Sequence, residues 1–200
     1  MCNTYVVRPK RDAKGQQQRI NEAAALLKSY LVRKSDPGVV MRADGQVDLM
    51  RWGFHRQFNP AINNAREDKL EGGMWQEAFH QRRCVIPMTL FYEWGPGADG
   101  RKQACEFCSP DDDLLWAAGI WEPHAELGPC YSMITTESSS VMATIHNRMP
   151  ALLRSVEMEE WLVGSSKWDF EAFAGSLVVA PCESPLTKRP STGPQQAELF

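Results

Sequence analysis

Four short stretches of this 200-residue chain hold side chains whose types could do chemistry. MCNTY places Cys2 directly behind the first methionine. FYEW sets Glu93 between Tyr92 and Trp94. TIHNRMP carries His146 and Arg148 just ahead of Pro150. NNAREDKL gathers Asn63, Asn64 and Arg66 in one polar run. A thiol is a nucleophile, and a carboxylate and an imidazole move protons. A guanidinium fork grips phosphate. Singly, each has an ordinary reading. Loop asparagines are most often turn formers. Glu93 could lie on the solvent face of a strand, and a lone histidine is more often structural than catalytic. Arg66 and Arg148 could be surface ion pairs. Termini are usually loose, so a reactive group at position 2 is either incidental or needs the terminus itself.

The elements that must position these residues follow from periodicity. Apolar spacing at Ile20, Ala24, Leu27 and Leu31 predicts a helix over Gln16 to Val32. DPGVVMRADGQVDLMRWGF reads as two strands around an ADG turn. MWQEAFHQRR (Met74 to Arg83) reads as a helix, CVIPMTLFYEW as one strand with a proline break, and ACEFCS, LLWAAGIWE and CYSMITTES as further strands. SSSVMATI, SVEMEEWLV and WDFEAFA read as helices, and SLVVAPC as a last strand. There is no βαβ rhythm and no glycine-rich phosphate loop. The class is α+β, a mainly antiparallel curved sheet or open β-barrel with helices around it. One domain spans 1–182, and a tail rich in Pro, Ser, Thr and Gln runs from 183 to 200.

Net charge is −3, which argues against indiscriminate coating of nucleic acid but leaves room for a local basic groove. The first twelve residues lack the apolar core of a secretory signal, and LLWAAGIW (Leu114 to Trp121) is too short to cross a bilayer. The expectation is a cytoplasmic protein, nucleoid-associated on damage, with no membrane partner and with reduced cysteines. Cys105 and Cys108 form a C-x-x-C that could be half a zinc site. No second pair follows at a recognisable spacing, so buried small hydrophobes are the favoured reading.

Taken together and in order, MC, RWG (Arg51 to Gly53), NAR (Asn64 to Arg66), RRCVIP (Arg82 to Pro87), FYEW (Phe91 to Trp94) and IHNRMP (Ile145 to Pro150) closely resemble the SRAP family. These are the SOS-response-associated peptidase proteins that cross-link to abasic sites in DNA. The resemblance covers roughly residues 1 to 180. It implies that Met1 is removed and that Cys2, as the true N-terminus, bonds to the ring-opened aldehyde of an abasic sugar in single-stranded DNA. It also implies that Asn64 orients Cys2, Arg66 holds phosphate, Glu93 exchanges protons with the α-amine, and His146 assists ring opening and reversal.

That chemistry suits these groups. An N-terminal cysteine is an aminothiol: the amine condenses with the aldehyde to an imine, and the sulfur closes a thiazolidine ring. A free α-amine titrates at about 7.7–8.0 against about 10.4 for lysine, so far more of it is unprotonated near neutrality. The reaction calls for no metal and no cofactor. For DNA grip, Arg8, Arg42, Arg51, Arg66, Arg82, Arg83 and Arg148 could line a groove. Trp52 could stack beside a base, or else belong to the strand core.

This chain departs from the family in places. Asn3 and Thr4 replace the usual Gly-Arg of MCGR, and Arg8 or Arg66 could substitute for the lost arginine. LVRKSDPG stands where a proline-containing loop is common, and Asp68 replaces a longer acid. The final Gln196 to Phe200, Q-x-x-L-F, resembles the peptide that docks on bacterial sliding clamps. Deleting Leu199 and Phe200 is expected to abolish clamp pull-down and spare cross-linking; unchanged retention rejects clamp docking. Two other readings stand beside cross-linking. One is a cysteine peptidase acting in cis to remove Met1, and the other is a noncovalent module for single-stranded DNA.

Overall fold

The computed structural model describes residues 2–111, 113–164 and 177–186. Its strands form two main sheets. The first contains β1 (Thr4–Val6), β2 (Leu31–Arg33), β9 (Leu90–Pro96), β10 (Lys102–Cys108) and β15 (Val178–Cys182), in the order β15-β10-β9-β1-β2. The second is built on β3 (Pro37–Arg42), β4 (Val47–Trp52), β8 (Arg83–Met88), β11 (Leu115–Glu122) and β12 (Cys130–Glu137). Its order, β12-β4-β3-β8-β11, closes on itself because β11 also pairs with β12. The α+β class with mainly antiparallel pairing is therefore present, and the barrel closes rather than staying open.

Strand β12 is the hub of the closure. Cys130 and Tyr131 pair in parallel with β4, and Met133 to Thr135 pair in parallel with β7 (Asn64–Arg66). Thr135 to Glu137 meet β13 (Arg148–Pro150). The NAR and HNRMP stretches, distant in sequence, thus flank one strand. A small hairpin of β5 (Phe54–Arg56) and β6 (Asn59–Ile62) leads into β7.

Helices α1 (Gln16–Ala25), α2 (Gln76–Gln81) and α3 (Ser155–Val163) pack outside the sheets. β14 (Leu152–Leu153) extends the barrel sheet beside β11. One apolar cluster joins Tyr5, Phe91 and Phe107 of the first sheet to Val39, Trp52, Ile86 and Tyr131 of the barrel. A second packs Val85, Ile120 and Ile134 against Ala78 and Trp161. Alternate residues of β8 go to the two clusters, so RRCVIP is buried on both faces and reads as a continuous apolar run. At Gly38 the hydroxyls of Tyr5 and Tyr131 lie 2.2 Å from where a Cβ would stand, so only glycine fits beneath that hydrogen-bonded pair.

Several sequence expectations are corrected. The first helix ends at Ala25, because Leu31 and Val32 find backbone partners in β1, and long-range pairing overrides the helical spacing. CVIPMTLFYEW is two strands in two sheets, with the Thr89 amide bonding the Val6 carbonyl (2.7 Å) at the crossing. SSSVMATI is a run of turns, not a helix; Met142 is buried and Ile145 rests on Gly95. The second helix is shorter than expected, with a 3₁₀ turn (Gly73–Trp75) before it. WDFEAFA and Gln196 to Phe200 lie outside the described residues.

Candidate active site

The terminus is tied down by pairing. β1 runs antiparallel to β9, with Tyr5 opposite Phe91 and Val6 opposite Leu90. That register carries Cys2 toward the Glu93 end of β9. Alternation along β9 sends Leu90, Tyr92 and Trp94 to one face and leaves Phe91, Glu93 and Gly95 on the other. FYEW therefore turns its acid inward, and Glu93 is only 2% exposed. Gly95 lets the neighbouring loop close on that same face: a Cβ there would sit 2.9 Å from the Ile145 Cα. His146, the next residue, is half-buried and within electrostatic reach of Glu93.

Cys2 is fully buried, and its thiol points to the Thr4 carbonyl (3.6 Å). Its own carbonyl accepts a hydrogen bond from Asn64 Nδ2 at 2.7 Å and another from Asn63 Nδ2 at 3.3 Å. Burial pushes the Cys2 thiol well above its ordinary range, and the Glu93 charge adds to that. Burial also raises the Glu93 carboxyl above its ordinary range, and the groups around it pull it only partly back. A carboxyl raised from its usual range sits closer to neutrality, where it can both give and take a proton. His146 Nδ1 lies 3.0 Å from both the amide nitrogen and the carbonyl oxygen of Arg148. The bare nitrogen accepts from the amide, and the protonated one donates to the carbonyl. The backbone can hold the ring in either state.

The predicted DNA contacts divide into exposed arginines and internally bonded ones. Arg66 is exposed and makes a two-pronged pair with Asp68 (2.8 and 2.9 Å). Such a solvent-facing pair is exchangeable for a phosphate. Arg8 is exposed, with its amide on Thr89 Oγ1. Arg51 spends its guanidinium on the carbonyls of Gly53 and Pro60 and on Ser35 Oγ, bracing the hairpin. Arg148 is buried and donates to the Thr135 carbonyl. Arg42 and Arg82 pair with Asp48 and Glu77, and Arg83 stacks over Phe79 and Trp161. Arg83 and Arg148 are buried, so the seven arginines do not all line one groove.

Trp52 is also corrected. It is 0% exposed, lies parallel to Tyr131 and edge-on to Tyr5, and donates its indole N–H to the Asn63 carbonyl (2.8 Å). It is core beneath the site, not a surface for a base. The residue that sequence reasoning left without a role is Asn63, although it stood in the polar run; the unusual Asn3 was the signal that could have found it. Cys105 and Cys108 belong to different apolar clusters on opposite sides of β10 and do not converge on one ion. No group of metal-ligating side chains occurs among the described residues.

Comparison with known proteins gives a consistent result. The family model described as SOS response associated peptidase (SRAP) matches residues 1–190. The chain is 27% identical over 158 residues to the abasic site processing protein of Saccharomyces cerevisiae, covering 70% of this chain and 39% of that protein. It is 29% identical over 148 residues to abasic site processing protein YoqW of Bacillus subtilis, covering 67% and 66%. Abasic site processing protein HMCES of Xenopus tropicalis is 32% identical over 146 residues, covering 56% and 44%. The matched region thus spans less than two thirds of each of these relatives. Among solved structures, a Bacteroides thetaiotaomicron protein superposes with a TM-score of 0.74 at 22% identity, covering 94% of this chain and 96% of that one. A Bordetella bronchiseptica protein gives 0.73 at 18%, covering 92% and 100%. These two likenesses establish the fold. With Asn64 of NAR and Glu93 of FYEW beside a buried Cys2 and the family model matching residues 1–190, the chain belongs to the SOS response associated peptidase (SRAP) family.

Proposed function

We propose that this protein captures abasic sites in single-stranded DNA as a covalent thiazolidine on Cys2, after removal of Met1. The observation that carries this reading is the Cys2 carbonyl held by Asn63 and Asn64 beside a buried Glu93. The family membership and the printed names of the relatives support it. In the reaction the Cys2 amine adds to the sugar aldehyde and one water leaves, giving an imine. The thiol then adds across the C=N bond, sulfur to carbon and its proton to nitrogen. Glu93 takes a proton from the amine and returns it to the departing hydroxyl.

The burial of the Cys2 thiol favours this reading over a peptidase. A cysteine that attacks peptide bonds works as a thiolate with a lowered pKa. Here burial pushes the other way. Ring closure onto an imine tolerates a neutral thiol whose proton passes to the neighbouring nitrogen. The test is incubation with an oligonucleotide bearing one abasic site, followed by denaturing electrophoresis and intact mass. A band shifted by one protein, with Met1 absent from the reacted chain, is expected. Cleavage of a generic peptide with no shifted band sinks the proposal. Salt-sensitive binding without a stable band also rejects it, in favour of a noncovalent module.

The return path is assigned to His146, which lies within electrostatic reach of Glu93. His146→Ala is expected to slow release of DNA from a preformed adduct by about 10². The measurement is a chase with excess unlabelled abasic oligonucleotide. An unchanged release rate removes His146 from reversal.

A further inference from the structure

We infer that Asn63 and Asn3 act as a pair of positioning residues for Cys2; this rests on the reading that Cys2 is the reacting residue. The amide nitrogen of Asn63 carries two protons. One is directed to the Cys2 carbonyl at 3.3 Å and the other to Asn3 Oδ1 at 3.0 Å. The backbone carbonyl of Asn63 accepts from the Trp52 indole at 2.8 Å and the Met133 amide at 3.0 Å. Asn63 is buried and Asn3 is exposed, so the pair joins the core to the rim of the site.

Two consequences follow for the chemistry. The Cys2 carbonyl accepts from both Asn63 and Asn64, and this fixes the direction in which its amine and thiol leave the α-carbon. Reacting groups ordered before substrate arrives lose less entropy on reaching the transition state. Two donors on one carbonyl also draw electron density through the α-carbon from the amine. That makes the amine less basic and leaves more of it unprotonated at neutral pH. Asn3 supplies the acceptor that selects one rotamer of Asn63. Without it the second proton turns to water and the side chain regains conformational freedom. Asn3 thus acts on Cys2 through Asn63 and touches no reacting atom.

The test uses the mature parent, Asn3→Gly, Asn63→Ala, the double variant and Asn3→Asp, which keeps an accepting oxygen. Cross-linking is expected to slow about 3–10-fold in Asn3→Gly and about 10–30-fold in Asn63→Ala. The double variant should be no slower than Asn63→Ala, and Asn3→Asp should restore the parent rate. The acidic limb of the pH–rate profile should move to higher pH in Asn3→Gly and Asn63→Ala. Additive losses in the double variant, or an unmoved acidic limb, overturn the inference. The same proteins are then reacted with glyoxylate, an aldehyde that needs no DNA site. If the parent forms no DNA adduct yet the glyoxylate rates follow the same ranking, the DNA reading fails and the positioning pair stands. If the parent cross-links and all variants match it in both assays, the pair falls and the DNA reading stands.

Discussion

Cys2→Ala is expected to leave no complex that survives denaturation, while noncovalent affinity for the same abasic oligonucleotide is expected to change by less than about threefold. The variant keeps its α-amine and can still form an imine. It lacks the sulfur that would close onto the imine carbon, so the bond formed is open to hydrolysis. Cys2 is buried with its carbonyl held by two asparagines, and neither hydrogen bond involves the side chain. Alanine therefore keeps the two bonds to its carbonyl and loses the thiol's contact with the Thr4 carbonyl and the second bond to the sugar. Reduction with borohydride during the reaction is expected to recover a stable band in the variant by trapping the imine. A stable band without reductant means that another nucleophile does the work, and the mechanism is then wrong.

Glu93→Gln is expected to slow cross-link formation by about 10², the lower end of what a positioned acid–base group supplies. Glutamine keeps the shape and polarity of the side chain and cannot carry the proton. The same substitution has a second expected effect, on stability. Burial raises the folded-state pKa of Glu93. A group raised in this way stabilises the fold fully below its unfolded pKa of about 4.3, and that contribution is lost as pH rises through the folded value. Glutamine stays neutral throughout. The variant should melt higher than the parent at pH 8 and nearly together with it at pH 4. Slower chemistry with higher melting at pH 8 marks a residue kept for function at a cost in stability. Equal rates, or a variant that melts lower than the parent at pH 8, reject this assignment.

The site was legible in part because β-strand chemistry has a short period. The FYEW stretch alternates faces whatever it pairs with, so an acid between two aromatics must leave their face. Whether that opposite face meets solvent or core cannot be read locally. It is settled by β1 and β10 on either side and by the Ile145 loop resting on Gly95. Leu31 shows the same limit from the other direction. Its spacing suits a helix, yet pairing with β1 places it in a strand. Each arginine carried the right chemistry for phosphate. Carbonyls and carboxylates contributed by distant segments determine which of them remain turned to solvent.

By itself the sequence determined the reactive groups, the α+β class, the strand character of most segments and the family motifs. Those follow from residue type and from periods of two or about 3.6, which are local. Only the tertiary structure decided that the barrel closes through β12, that Trp52 lies beneath the site and that Asn63 reaches Cys2. The physical reason is distance along the chain. The bonds joining Cys2 to Asn63 and Asn64 connect residues 61 and 62 positions apart, and those from β12 to β7 reach further still. No local pattern encodes such partners; they arise when burial selects one pairing of strands among many.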